Sequence, residues 1–369
     1  MAKAMEAPRV VIAGGGTGGH LYPGLAVARE LRRQRPGAVV TFAGTAQGIE
    51  ARIVPREGFE LDLLRSAGLK GKSLGRTLRG LVLLPLSGLD AMAILGRRRP
   101  HVVLGVGGYS SGPVVLAAAA RRVRTMVLEQ NAVPGLANRL LARVVDAAAV
   151  TYEEAAAWFG PKAMVTGNPV RAGFLAAGAA RPRAEAPGAR AARVLVFGGS
   201  QGAHAINLAM MDAAPALARA SVDVTHQTGP ADLAAVRRAY EAAGLPGRVE
   251  PFFDEMDREM ARADLVVCRA GATTLAEVTA AGRPALLVPL PTATDDHQRR
   301  NAEALVRAGA AEMLDQRDLT GASLAAAIQR LVDDPARRDH LAEHARALAR
   351  PDAARAIAER ILALAEGRR

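Results

Sequence analysis

Val10-Val11-Ile12-Ala13 runs into Gly14-Gly15-Gly16-Thr17-Gly18-Gly19-His20, and much further along Val194-Leu195-Val196-Phe197 runs into Gly198-Gly199-Ser200-Gln201-Gly202-Ala203-His204. Each stretch is a short apolar run, a glycine cluster holding one hydroxyl residue, and then a helix-like segment. That order reads as strand, tight turn and helix N-terminus. Glycine there permits positive φ and a close approach of backbone to ligand. The N–H groups that open the helix favour an anion such as phosphate. Two such units, one near the start of each half, predict two similar α/β domains.

Working outward, the first half alternates strand and helix signals. Strands are expected at Val10–Ala13, Val39–Ala43, Val102–Val106, Thr125–Leu128, Ala147–Thr151 and near Ala163–Thr166, with helical patterns such as Leu25–Arg33 and Gly112–Arg121 between them. Alternation of this kind implies a parallel sheet with right-handed crossovers. After Asn168-Pro169-Val170-Arg171 the pattern changes, and residues 172–190 are Ala/Pro/Gly/Arg-rich with weak periodicity, which reads as a linker. A second series follows at Val194–Phe197, Val222–Gln227, Val249–Pro251, Leu265–Cys268 and Ala285–Pro289, and Pro335 to Leu364 is helical by period. The expected domains are therefore 1–171 and 191–345, with a final helical segment 346–369. Open parallel sheets bind ligands at the carboxyl ends of their strands, where both glycine turns lie.

Composition sets bounds. A chain of 369 residues suits two domains of roughly 150 to 200 residues each. Half the residues are hydrophobic but only 3% are aromatic, so the cores must be built from Leu, Val, Ile and Ala. The formal charge of +12 allows nucleic acid, anionic lipid or an acidic substrate as partner. The absence of zinc-finger spacing, an RNP-type aromatic strand or a basic tail argues against nucleic acid. The single cysteine, Cys268, excludes an intramolecular disulfide and fits a reducing compartment. No apolar signal-peptide core precedes the first strand. The longest apolar stretch, Leu81 to Leu95, is interrupted by Pro85 and Asp90 and falls short of the roughly 20 residues a membrane span needs.

Several stretches carry chemistry. Gly14-x-Gly16-x-x-Gly19 matches the dinucleotide fingerprint, but the second strand ends Phe42-Ala43-Gly44-Thr45, without the acidic residue that holds a ribose, so a dehydrogenase loses its best support. His20, at a helix start, is read as a general base, because its unperturbed pKa lies near neutrality. His204, at the matching point of the second turn, is read as a packing residue. Gly105 to Pro113 is a third glycine-rich strand exit, and Glu129-Gln130-Asn131 closes a further strand. Arg269-Ala270-Gly271-Ala272-Thr273-Thr274-Leu275-Ala276-Glu277 opens a helix with small and hydroxyl residues suited to a diphosphate, and Glu277 lies where a carboxylate accepts two ribose hydroxyls. No metal is assigned to Asp295-Asp296-His297-Gln298, which lacks an Asp-x-Asp motif. Leu69 to Leu95 mixes Lys70, Lys72, Arg76 and Arg79 with Leu74, Leu78, Leu81 and Val82. This describes either a segment lying on an anionic membrane or a packed helix with solvated cations.

Taken in order and with their spacing, Gly15–His20, Gly107-Gly108-Tyr109, Glu129-Gln130-Asn131, Gly198–Ala203 and Arg269 through Glu277 resemble the MurG family of bacterial glycosyltransferases over essentially the whole chain. Members add N-acetylglucosamine to undecaprenyl-diphosphate-linked muramyl pentapeptide (lipid I) to make lipid II. The resemblance implies a GT-B architecture: two Rossmann-like parallel-sheet domains facing a deep cleft, with a C-terminal helix crossing back to the first. It implies an inverting transfer from UDP-N-acetylglucosamine without metal or other cofactor. Donor contacts carry over to Thr17, Gly18, Gly19, Asn131, Arg171, Ser200, Phe253, Ala272, Thr273, Thr274, Leu275, Ala276, Glu277 and Gln298. Tyr109, Glu129 and Asn138 fall on the acceptor side. Phe253 replaces a smaller aliphatic residue of some members, and Leu128 stands where the family often has histidine.

The resemblance also implies that Lys72, Leu74, Arg76, Leu78, Arg79, Leu81 and Val82 form a membrane face. The protein would then be peripheral, on the cytoplasmic side of the bacterial inner membrane, near proteins of wall synthesis. His20 would take the proton from the muramyl 4-hydroxyl as that oxygen attacks the anomeric carbon, and backbone N–H groups with Ser200 would stabilise the departing diphosphate. A non-hydrolysing UDP-N-acetylglucosamine 2-epimerase, or a UDP-sugar-binding protein without catalysis, would share the architecture but need no lipid-facing segment.

Overall fold

A computed structural model describes residues 7–65, 74–179, 191–199, 202–220 and 222–368, with the side chains of 74–84 and 294 outside that description. The chain divides into two compact units, one of Met1–Val170 with Asp352–Arg369 and one of Arg171–Pro351.

Unit 1 runs β1 (Arg9–Gly14), α1 (Gly18–Gln34), β2 (Val39–Gly44), α2 (Glu50–Arg56), β3 (Glu60–Leu63), α3 (Leu74–Arg98), β4 (Val102–Gly107), α4 (Ser111–Ala120), β5 (Arg124–Glu129), α5 (Leu136–Leu141), β6 (Ala147–Val150), α6 (Glu153–Ala156) and β7 (Ala163–Val165). Unit 2 holds α7 (Ala172–Ala179), β8 (Ala192–Phe197), α8 (His204–Arg219), β9 (Val222–Gln227), α9 (Leu233–Ala243), β10 (Gly247–Glu250), α10 (Met256–Arg262), β11 (Leu265–Cys268), α11 (Ala272–Ala280), β12 (Ala285–Leu287), α12 (His297–Arg307), β13 (Glu312–Met313), α13 (Gly321–Asp333) and α14 (Pro335–Leu348). The chain ends in α15 (Ala353–Ala365), which returns to unit 1.

Both sheets are parallel, in the orders β3-β2-β1-β4-β5-β6-β7 and β10-β9-β8-β11-β12-β13. Each is a Rossmann-like sheet whose strand order reverses once, beside β1 in unit 1 and beside β8 in unit 2. The strands are apolar on both faces because both faces are covered. Alternation along β1 sends Val10 and Ile12 into the cluster with Leu21, Leu25, Ile357 and Ile361 of α1 and α15. Val11 and Ala13 join Ile94, Val114 and Val115 of α3 and α4 on the other face. Each of the fully buried aliphatic side chains contributes about 1.5–3 kcal/mol of transfer free energy. In unit 2, Val194 and Val196 pack with Ile206, Met210, Leu324 and Ile328 of α8 and α13.

Every expected strand is present, and β3 and β13 are added. Residues 172–190, expected as a linker, need a correction. Ala172–Ala179 is a helix of unit 2 with Phe174 fully buried, while 180–190 lie outside the described residues. Its sequence is almost wholly Ala and Gly, so it shows no polar face. It packs so closely that a side chain on Gly178 would lie 2.0 Å from the Ala280 carbonyl oxygen. The helical stretch from Pro335 is two helices, broken between Leu348 and Ala353 around Pro351, which cannot continue a helix.

Candidate active site

In unit 1 the order reverses between β1 and β4, and both strands leave the sheet through glycines. Gly14, Gly15 and Gly16 have φ of 149°, 146° and 83°, and Gly107 and Gly108 have 94° and 82°. The two turns interlock backbone to backbone. Gly15 N–H donates to the Gly107 carbonyl at 3.3 Å, and a side chain on Gly108 would lie 2.5 Å from the Gly15 carbonyl oxygen. Thr17, in extended geometry, precedes α1, whose first turn carries no acidic residue, so its N-terminal partial charge stays positive. Thr17 and Gly19 are exposed, and Gly18 and His20 half-buried. The His20 ring lies over Gly107: a side chain there would meet Nδ1 at 2.6 Å.

Beneath this turn sits Glu50, buried at the start of α2. Its Oε2 accepts from Gly16 N–H at 2.7 Å, and its Oε1 accepts from Thr45 N–H and Thr45 Oγ1 at 2.9 Å each. The carboxylate absent from the end of β2 is therefore supplied from just beyond it, facing the turn.

Glu129 at the end of β5 is buried and accepts four hydrogen bonds: from Asn131 N–H and Nδ2 at 3.0 and 3.1 Å, from Gly135 N–H at 3.1 Å and from Asn138 Nδ2 at 2.8 Å. Asn138 is buried as well, so these two residues shape the loop that presents half-buried Asn131. Gln130 Nε2 ties the loop to the Val106 carbonyl at 2.8 Å, while Tyr109 is exposed.

In unit 2 the order reverses between β8 and β11. Gly199 and Gly202 take φ of 93° and 74°. The Gly199 carbonyl accepts from Gly202 N–H at 3.0 Å and from Gln227 Nε2 at 2.9 Å, and Gln227 Oε1 accepts from Phe253 N–H at 2.9 Å. One amide side chain thus couples the glycine turn to Phe253, whose ring carries the Arg248 guanidinium at 4.6 Å. Behind them, Asn207 Nδ2 donates to the Thr228 carbonyl at 2.9 Å and to Asp232 at 2.7 Å, and its Oδ1 meets buried His226 Nε2 at 3.1 Å. Burial pushes the His226 pKa down to about 3. His204 is exposed and meets Asp232 at 3.0 Å.

Beyond β11, Gly271 caps α11 in extended geometry. Thr273, Thr274 and Ala276 are half-buried, whereas Ala272 and Leu275 are buried. Glu277 is also buried, and its Oε1 accepts from Arg171 Nη2 at 2.9 Å and Nε at 3.3 Å. Burial raises the Glu277 pKa, and the Arg171 charge opposes that shift. Gln298 Oε1 accepts from Ala270 N–H at 3.2 Å and Leu290 N–H at 3.1 Å, which leaves its Nε2 as a donor. The chain enters α12 through Asp295 and Asp296 in left-handed geometry, a local cost of about 1 kcal/mol or more each, just before Gln298. Burial raises the Cys268 thiol pKa, so it is a packed, inert group.

Unit 1 thus brings together Thr17, Gly18, Gly19 and His20, and separately Glu129, Asn131 and Asn138. Unit 2 brings Arg171 to Glu277, and Gln298 to the turn before α11. Ser200 and Lys72 lie outside the described residues. Leu74, Arg76, Leu78, Arg79, Leu81 and Val82 lie in α3, with side chains outside the description. Among the described residues, no group of three His, Cys, Asp or Glu could hold a metal ion. Sequence reasoning missed Glu50 and Gln227. The signal available for Glu50 was the pair Gly44 and Gly48 shortly before it in sequence, where side chains would collide with its side chain.

Residues 10–150 match the glycosyltransferase family 28 N-terminal domain, and residues 193–361 match the glycosyltransferase family 28 C-terminal domain. The chain is 51% identical over 354 residues, covering 95% of it and 91% of the relative, to the UDP-N-acetylglucosamine–N-acetylmuramyl-(pentapeptide) pyrophosphoryl-undecaprenol N-acetylglucosamine transferase of Anaeromyxobacter dehalogenans. Its fold is similar to the crystal structure of Acinetobacter baumannii MurG, with a TM-score of 0.76 at 30% identity over 96% of this chain and 99% of that one. It is also similar to UDP-GlcNAc 2-epimerase from Neisseria meningitidis, with a TM-score of 0.68 over 96% and 99% of the two chains. At 14% identity that likeness concerns the fold alone.

Proposed function

The chain belongs to glycosyltransferase family 28, and on that premise we propose that it transfers N-acetylglucosamine from UDP-N-acetylglucosamine to the 4-hydroxyl of the muramyl residue of lipid I, making lipid II for peptidoglycan. The observation that carries this reading is the 51% identity over 95% of the chain to a relative named for that reaction.

The site residues take the following roles in this proposal. Glu277 accepts the ribose hydroxyls, with Arg171 offsetting the cost of its burial. Phe253 lies against the uracil, and Gln298 Nε2 donates to a sugar hydroxyl. The N–H groups opening α11 at Ala272, Thr273 and Thr274, together with Ser200, hold the diphosphate. Leu275 and Ala276 seat that helix. Thr17, Gly18, Gly19 and Asn131 complete the donor contacts on its N-acetylglucosamine side, away from the UDP, and Tyr109 serves the acceptor. His20 takes the 4-hydroxyl proton as that oxygen bonds to the anomeric carbon. The bond from that carbon to the diphosphate breaks, UDP leaves with the electron pair, and the attack from the opposite face gives a β-1,4 link. No metal is needed in this scheme.

Among the described residues no helix is long and apolar enough to cross a membrane. We place the protein peripherally on the cytoplasmic face of the inner membrane, with Lys72, Leu74, Arg76, Leu78, Arg79, Leu81 and Val82 as the docking face. Exposed Leu89, Met92, Leu116 and Leu140 on α3, α4 and α5, and Trp158 beneath the Arg139 guanidinium at 4.9 Å, support an apolar and basic surface on this unit.

The test is a transfer assay with purified protein, radiolabelled UDP-N-acetylglucosamine, a short-chain lipid I analogue and EDTA. Label is expected in the lipid. Donor binding without lipid labelling, or label recovered as the 2-epimer of the donor, would contradict the proposal.

A further inference from the structure

Glu50 belongs to no motif that defines the site, yet the first glycine turn is built around it. Its two carboxylate oxygens accept from three donors, Gly16 N–H, Thr45 N–H and Thr45 Oγ1. Side chains on Gly15, Gly44 or Gly48 would lie 2.4, 2.6 and 2.0 Å from the nearest atom of Glu50, so three residues without side chains make room for one carboxylate. Gly15 and Gly16 both have positive φ and lead directly into Thr17 and α1, on whose first turn His20 sits. Among the described residues no carboxylate fastens the second turn this way. There a neutral amide, Gln227, donates to a carbonyl.

We propose that Glu50 is a positioning residue for the transfer reaction: its buried carboxylate is a built-in anion that occupies the Gly16 N–H, fixes the turn, and thereby sets the place of Thr17 through His20. A dinucleotide-binding turn gives such N–H groups to the ligand's phosphate. Here the protein supplies the anion itself. The turn is then rigid before substrate arrives, and the Gly16 N–H does not serve a substrate phosphate. The inference rests on the proposed transfer reaction, for which His20 must meet a hydroxyl proton within hydrogen-bond reach. A misplacement of about 1 Å in such a group costs about 100-fold in rate.

The test uses the full-length protein in the transfer assay, with wild type as the control on the reaction itself. If wild type fails to transfer, the function is wrong; the outcomes below concern Glu50 once wild type transfers. Glu50→Gln keeps the size but replaces one accepting oxygen by a donor. It is expected to lower kcat at least about tenfold while the Kd for UDP stays within about twofold, which also certifies folding. Glu50→Ala is expected to lose about 100-fold, and about 0.1 M formate, small enough to enter the space between the three glycines, is expected to recover about tenfold of that loss, whereas chloride at equal ionic strength recovers none. Near-normal kcat in Glu50→Gln would overturn the proposal. So would loss of UDP binding in step with kcat, or a Glu50→Ala enzyme indifferent to formate.

Discussion

At the end of β1 a carboxylate holds the glycine turn by accepting one of its N–H groups; at the end of β8 an amide holds it by donating to one of its carbonyls. The two stretches look alike in sequence and end alike, in a helix start carrying histidine. Their electrostatics are opposite. Glu50 adds negative charge beneath the first turn and occupies a donor there. Gln227 adds none, and among the described residues no acidic group takes a backbone N–H of the second turn. In the proposed function an anionic diphosphate is better received in unit 2, and the first turn is left to orient His20. On that proposal a shared fold motif is divided between binding an anion and placing a base.

The largest expected effect is on the proposed base. His20→Ala should lower kcat by about 100- to 10,000-fold and abolish the acidic limb of the kcat–pH profile, while the Kd for UDP measured by calorimetry is unchanged. A near-normal kcat with unchanged pH dependence would break the division just drawn.

A matched pair of glycines sharpens it. Gly107 and Gly199 have φ of 94° and 93°, so alanine pays the same backbone strain of about 1 kcal/mol at each. At Gly107 the new methyl meets the His20 ring at 2.6 Å, whereas at Gly199 it meets nothing within 4 Å among the described residues. Gly107→Ala should therefore cost about 1–3 kcal/mol more in denaturant unfolding than Gly199→Ala, and lower kcat at least about tenfold by displacing the base. Equal effects at the two positions would mean that His20 is not held by this contact.

The last effect lies behind the second turn; near neutral pH it is the smallest, and it grows only on acidification. His226 is buried between Asn207 and Tyr240, with its pKa lowered by desolvation to about 3. The unfolded chain takes up this proton near pH 6.5, so the stabilisation is complete above that pH and is lost as pH falls towards 3, by about 1.4 kcal/mol per pH unit. Hydrogen exchange of the β9 amides should report that slope, and His226→Gln should flatten it. A slope unchanged in the variant would assign the acid sensitivity elsewhere.

These contrasts bear on how far the sequence can be read. The strands and turns were legible because β-branched runs and glycine clusters are local signals. Strand β13 has two residues, and β3 carries Glu60 and Asp62 among its four, so neither announces itself. Helix α7 reads as a linker because its Ala and Gly show no amphipathic period; the Asp257 carboxylate beside Gly173 and the Ala280 carbonyl beside Gly178 explain its glycines. Glu277 is singled out by its place one turn into the helix after β11 as well as by the family resemblance, Gln298 by the resemblance alone. Glu50 and Gln227 were not, because each acts on a turn far from it in sequence, and a lone Glu or Gln reads as surface. Likewise Glu129 looked like a group offered to a ligand, and only its four hydrogen bonds reveal a loop organiser.

The most direct test of the central claim, that unit 2 receives the nucleotide while unit 1 places the base, is UDP titration of two full-length variants by calorimetry. Glu277→Ala should raise the UDP Kd about tenfold or more, as expected for losing charged hydrogen bonds to the ribose, while Glu50→Gln leaves it within about twofold of wild type. Weakened UDP binding in Glu50→Gln, with Glu277→Ala unaffected, would contradict the account.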